Sequence, residues 1–106
     1  MASVVPAVTP VAGVNAQIVT GGTPLVAILA NANGGYIVNP ASNTGQGIAS
    51  AEILYVDPVG NCAVCQEGGT IIALHPGDRF ECIPGSTSPV YVNALTPGHK
   101  FTTTSF

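Results

Sequence analysis

Apolar residues in this chain fall in short runs that alternate between two sides. No stretch of any length carries a helical stripe. The runs are "AQIVT", "TPLVAIL", "GGYIVNP", "AEILYVDP", "GTIIALH", "DRFECIP", "SPVYVNAL" and "HKFTTTSF", with Gly, Pro and Asn between them. Spacing of this kind predicts an all-β chain, an antiparallel β-sandwich of about 7–8 short strands with Greek-key or jelly-roll-like connections. Asn33-Gly34 predicts a two-residue hairpin turn, because both positions of a type I′ turn need positive φ. Pro76-Gly77 in "HPGD" predicts a type II turn. The polar stretch "ASNTGQGIAS" predicts a longer loop. Residues 1–13 hold Pro6 and Pro10 and no charge, which predicts an extended N-terminal arm. Residues 14–106 are then the sandwich domain.

Several runs are apolar on both faces. In "PLVAIL", Val26 and Ile28 oppose Leu25, Ala27 and Leu29. In "EILYV", Ile53 and Tyr55 oppose Leu54 and Val56. In "TIIAL", Ile71 and Ala73 oppose Ile72 and Leu74. One face fills a core between two sheets. The other needs a cover, from the arm, from a loop such as "ASNTGQGIAS", or from another protein chain.

Composition sharpens this. Of 106 residues, 46% are hydrophobic and 7% charged, against roughly 25% charged in an ordinary soluble protein. Such a surface repels its neighbours weakly, so a homo-oligomer is expected. Arg79 and Lys100 are the only Lys or Arg residues and the net charge is −3, so no nucleic-acid partner is expected. The apolar runs are far too short to span a bilayer, so no membrane is expected. No basic residue precedes Arg79, so a secretory signal is not expected and synthesis in the cytoplasm is.

The polar chemistry is sparse. In "ALHPGDRFECIPG", strand alternation puts Phe80 and Cys82 on the core side and Arg79, Glu81 and Ile83 on the other, so the apparent cluster is split. His75 and Asp78 flank the turn. Cys62 and Cys65 form a CxxC, but a structural zinc site needs four ligands, usually from two such pairs. "QEGGT" after them is a turn, against a thioredoxin-like reading. Ser86 and Ser88 lack a nucleophile elbow. His75, His99 and the five carboxylates are scattered. No catalytic residue, metal ligand or cofactor is therefore expected, and no enzyme.

The runs "GGYIVNP", "EILYVDPVG", "ALHPGDRFECIPG", "VYVNAL" and "GHKFTTTSF" together resemble small β-sandwich structural proteins of tailed-phage virions. Among these the chain is most similar to head decoration, or cement, proteins. The resemblance implies a virion protein made in the host cytoplasm. It implies the major capsid protein as partner, bound on the outside of the shell and stabilising it. The interface residues it points to are Val4, Val5, Pro6, Val8, Pro10 and Val11 in the arm, with Leu25, Val26, Ile53 and Tyr55 on the strands. Phage tail or spike receptor-binding β domains share the same texture. A small cupin-like enzyme is a further alternative, for which His75 and His99 are the available histidines.

Overall fold

The computed structural model describes residues 14–18, 21–30, 32–40, 52–84, 87–96 and 99–105. They form eight strands: β1 Val14–Gln17, β2 Leu25–Ile28, β3 Asn33–Val38, β4 Leu54–Asp57, β5 Ile72–Leu74, β6 Arg79–Pro84, β7 Val90–Asn93 and β8 Lys100–Ser105. One sheet has the order β1-β8-β3-β6 and the other β2-β7-β4-β5. All six pairings are antiparallel. Two interleaved four-stranded sheets in this order are a jelly roll. Only β4 and β5 are consecutive neighbours in one sheet; every other connection crosses between sheets or changes edge.

The core is the set of inward positions that the alternation picks out. Leu54 and Val56 on β4, Val90 and Val92 on β7, Ile37 on β3 and Phe101 on β8 are buried and in one cluster, with Ile18, Ile28, Leu74 and Ala94. Phe80 and Cys82 pack against that cluster, while Arg79, Glu81 and Ile83 are exposed, as strand parity requires. In the "HPGD" turn, Gly77 has φ +91° and the Asp78 N–H donates to the His75 carbonyl at 2.9 Å. The turn docks on β3: Gly77 N–H donates to Asn39 O at 2.7 Å and Asn39 N–H to Asp78 O at 3.1 Å.

Asn33-Gly34 is not a hairpin turn. Strands β2 and β3 lie in different sheets, and Asn33 begins β3, opposite Pro84. The glycines serve a close approach instead. A Cβ on Gly35 would sit 2.5 Å from the Thr104 carbonyl oxygen, so only glycine lets β8 pair so tightly there. "AQIVT" is likewise shifted, since β1 starts at Val14.

The alternation in "PLVAIL" also breaks. The register slips between Val26 and Ile28, a bulge that rotates the following residue. Leu25 and Ile28 therefore both face the core, and Val26 faces out. Leu25→Asp is expected to destabilise the fold by about 2–4 kcal/mol, because it places an unpaired charge beside Val92. Val26→Asp should cost less than about 1 kcal/mol. Urea melts of the two variants check this; equal losses would contradict the face assignment.

The two outer surfaces differ. On the first sheet the outward row is polar: Arg79 lies 4.2 Å over the Tyr36 ring and 3.0 Å from Glu81, and Thr104 donates to the Tyr36 hydroxyl. On the second, the outward residues are Val26, Tyr91, Asp57, Asn93, Tyr55 and Ala73. Part of this face is roofed by the chain's own β4–β5 connection, residues 58–71. "ASNTGQGIAS" and the arm lie outside the described residues.

Candidate functional site

Three places hold chemistry or exposed apolar surface. The first is a buried polar network at the end of the sandwich where β3 finishes and β8 begins. Asn39 Nδ2 donates to the Leu74 carbonyl at 2.7 Å and to the Glu52 carbonyl at 3.1 Å. Its amide oxygen therefore faces His99 and accepts from Nε2 at 2.9 Å. His99 Nδ1 lies 2.6 Å from Glu52 Oε2, and Thr96 Oγ1 donates to Glu52 Oε1 at 2.6 Å. One proton is shared in the Nδ1–Oε2 contact, since two bare lone pairs would repel at that distance. His99 and Asn39 are buried and the Glu52 side chain nearly so. Both imidazole nitrogens are occupied, so His99 is neither a free base nor a free metal ligand while the fold stands. The network joins the two sheets: Asn39 and His99 belong to one, Glu52 and Leu74 to the other.

The second place is the connection after β4. Asp57 points outward from its sheet yet is buried, because the chain folds back on it. Its Oδ1 accepts from Gly60 N–H at 2.7 Å, Val59 N–H at 3.1 Å and Thr70 Oγ1 at 2.7 Å. Its Oδ2 accepts from Cys62 N–H at 3.1 Å. Burial pushes this carboxyl up, but the Thr70 hydroxyl and the backbone donors of Gly60, Val59 and Cys62 outweigh it and hold it below its ordinary value. Cys62 adopts φ +53°, and its carbonyl accepts from Asn93 Nδ2 at 2.9 Å. Asn93 Oδ1 is buried with no protein partner.

The CxxC is part of this roof. Cys62 is fully buried, and burial, aided by Asp57 and Cys65, pushes its thiol up to about 12. Cys65 is raised by burial and by Glu52, against a backbone contact with Gly22. Cys82 is raised by burial. Thiols held this way are poor nucleophiles and poor thiolate ligands. Among the described residues no group of three or more His, Cys, Asp or Glu is placed to hold a metal ion.

The third place is the opposite end of the sandwich. Here β2, β4, β6 and β8 finish and β1, β3, β5 and β7 begin, as the registers require. Four large apolar side chains stand in water there: Leu29 and Ile83, each 74% exposed, Val59 at 65% and Ile72 at 38%. The β4–β5 connection starts here but crosses the outer face of the second sheet, bringing Cys65 beside Gly22 and Glu52, and its one charged residue is Glu67. The other end carries Glu52, His75, Asp78, Arg79, His99 and Lys100. Leu29, Val59, Ile72 and Ile83 are thus exposed toward the end that holds fewer charges, while Leu95, 65% exposed, stands at the charged end. β1 begins at this end, at Val14.

Of the interface residues expected from sequence, Val4, Val5, Pro6, Val8, Pro10 and Val11 lie outside the described residues. Val26 and Tyr55 share the outer face of the second sheet, separated by β7. Ile53, two residues before Tyr55, is half-buried like it, and Leu25 packs on the core. The sequence reading set Ile83 outward beside two charged residues but did not single out Leu29, Val59 or Ile72 as surface. No protein-family model, curated protein or solved structure matches this chain.

Proposed function

We propose that this protein is a structural component of a virion, bound to the outside of a phage capsid shell as a decoration or cement protein. The observation that carries the reading is the set of large apolar side chains, Leu29, Val59, Ile72 and Ile83, exposed toward the charge-poor end of a small jelly roll. The 13 residues that precede β1 in sequence are uncharged as well. Exposed apolar surface collected in one place is a contact surface for another protein. The partly roofed outer face of the second sheet and the polar outer face of the first make strand faces poorer contact surfaces than this end.

In this reading the partner is the major capsid protein. The jelly roll supplies a stiff body, and residues 1–13 together with the apolar end supply contacts to neighbouring capsomers. Each contact is weak alone, and linking them gives avidity. The role is mechanical, with no reaction to perform. The test is co-sedimentation with assembled shells. Binding that saturates at a fixed ratio to the major capsid protein is expected; a chain that stays in the supernatant at every concentration overturns the reading.

A further inference from the structure

We infer that β6 is a pairing edge, to which the β6 of a second copy of this chain adds in antiparallel register. An edge strand carries a row of backbone groups with no partner, and proteins blunt such edges with short strands or bulges. The other three sheet edges are brief or broken. β5 is three residues long, β2 is interrupted by the slip between Val26 and Ile28, and β1 has four residues. β6 is six residues long, Arg79–Pro84, and pairs with β3 in one unbroken register. Asn39 N–H donates to Asp78 O, and the pairing continues through Ile37↔Phe80 and Gly35↔Cys82. Ladder hydrogen bonds recur at every second pair, so Phe80 and Cys82 turn their backbone groups to β3. Those of Arg79, Glu81 and Ile83 point away from it, and no other described strand lies there.

The sequence of this edge fits a copy of itself. Placed on a two-fold axis at Phe80, two β6 strands set Arg79 opposite Glu81 of the second copy, and Glu81 opposite its Arg79. Both are positions whose backbone groups point to the edge, so each exchanges an N–H and a C=O with its opposite. The side-chain charges are complementary at both places. Arg79 has donors to spare: its Nε meets its own Glu81 Oε2 at 3.0 Å, which leaves the two terminal amino groups of the fork for a second carboxylate. Tyr36 holds the guanidinium 4.2 Å above its ring, so the fork is set before pairing. Phe80 adds an apolar reason. It packs on the core yet stays half-exposed, in the last strand of its sheet. On the axis it faces Phe80 of the second copy, and each ring covers the other. The contact is isologous and closes at two copies.

The pairing needs no shell, so its failure leaves the shell-binding reading to its own test. The experiment is sedimentation equilibrium of the full chain, of Arg79→Glu, of Glu81→Arg, and of these two variants mixed in equal amounts. Arg79 and Glu81 are exposed, and thermal melts confirm that both variants keep the fold. The full chain is expected to be a dimer. Each variant alone sets like charges opposite one another on both sides of the axis, and should weaken that dimer by about tenfold or more. In the mixture an Arg79→Glu chain meets a Glu81→Arg chain, every opposed pair is again of opposite charge, and dimers with one chain of each kind should return. A monomeric full chain overturns the pairing. So does a dimer that either variant leaves intact, or a mixture in which dimers do not return. A dimer lost when the chain is shortened to begin at Val14 also overturns it, and assigns the contact to residues 1–13.

Discussion

Alanine at position 99 is expected to lower the unfolding free energy by about 2–4 kcal/mol, the cost of leaving buried hydrogen-bonding partners unsatisfied together with the loss of a buried side chain. His99→Ala leaves the Glu52 carboxyl buried with only the Thr96 hydroxyl, and leaves the Asn39 amide oxygen without a donor. It also cuts the polar link between the sheets at that end. Total stability of a domain this size is about 5–15 kcal/mol, so the variant should melt far below the parent. A double-mutant cycle separates the network from simple loss of volume. Glu52→Gln should be costly alone, and the double variant Glu52→Gln with His99→Ala should lose much less than the sum. Additive losses would mean that the two side chains do not act as a pair.

Asp57→Asn is the second large effect, about 2–4 kcal/mol at neutral pH. An asparagine there turns one acceptor into a donor, which must face either the Cys62 N–H or the donors at Oδ1. The pH dependence carries a sign. The folded carboxyl titrates below its ordinary value, so its stabilisation is fully present above the unfolded pKa of about 3.9 and is lost as pH falls through the folded value. The gap between parent and Asp57→Asn should therefore be full at neutral pH and shrink on strong acidification. Urea melts across that range would show it; a gap that stays constant in acid would sink the assignment.

How much of this was legible beforehand depends on what period two can say. It placed Phe80 and Cys82 inward and the "HPGD" turn where it is, because both are local. It also held a hint of the buried network. Asn39 is two residues after Ile37, Glu52 two before Leu54 and His99 two before Phe101, so all three share the parity of core residues. What the sequence did not contain was sheet order. Glu52 and His99 are 47 positions apart, and only the jelly-roll connection brings their strands to the same end. The hairpin misreading at Asn33-Gly34 has the same origin. Asn-Gly reads as a turn locally, but β8 approaches Gly35 from 70 residues away to pair Ser105 with it. The two-sided apolar pattern called for a cover, and the part of it seen on the second sheet is residues 58–71, held by Asp57 and Asn93 through a fold-back that no spacing rule marks.

The proposed attachment to a shell engages residues 1–13 together with the apolar end. The most direct measurement is shell co-sedimentation of the full chain beside a chain that begins at Val14. Every strand among the described residues begins at or after Val14, so the shorter chain should fold and melt like the parent. Its affinity for the shell should fall by about a hundredfold or more, the size of a lost avidity contribution. A shorter chain that folds and binds the shell as tightly as the full one would contradict the account.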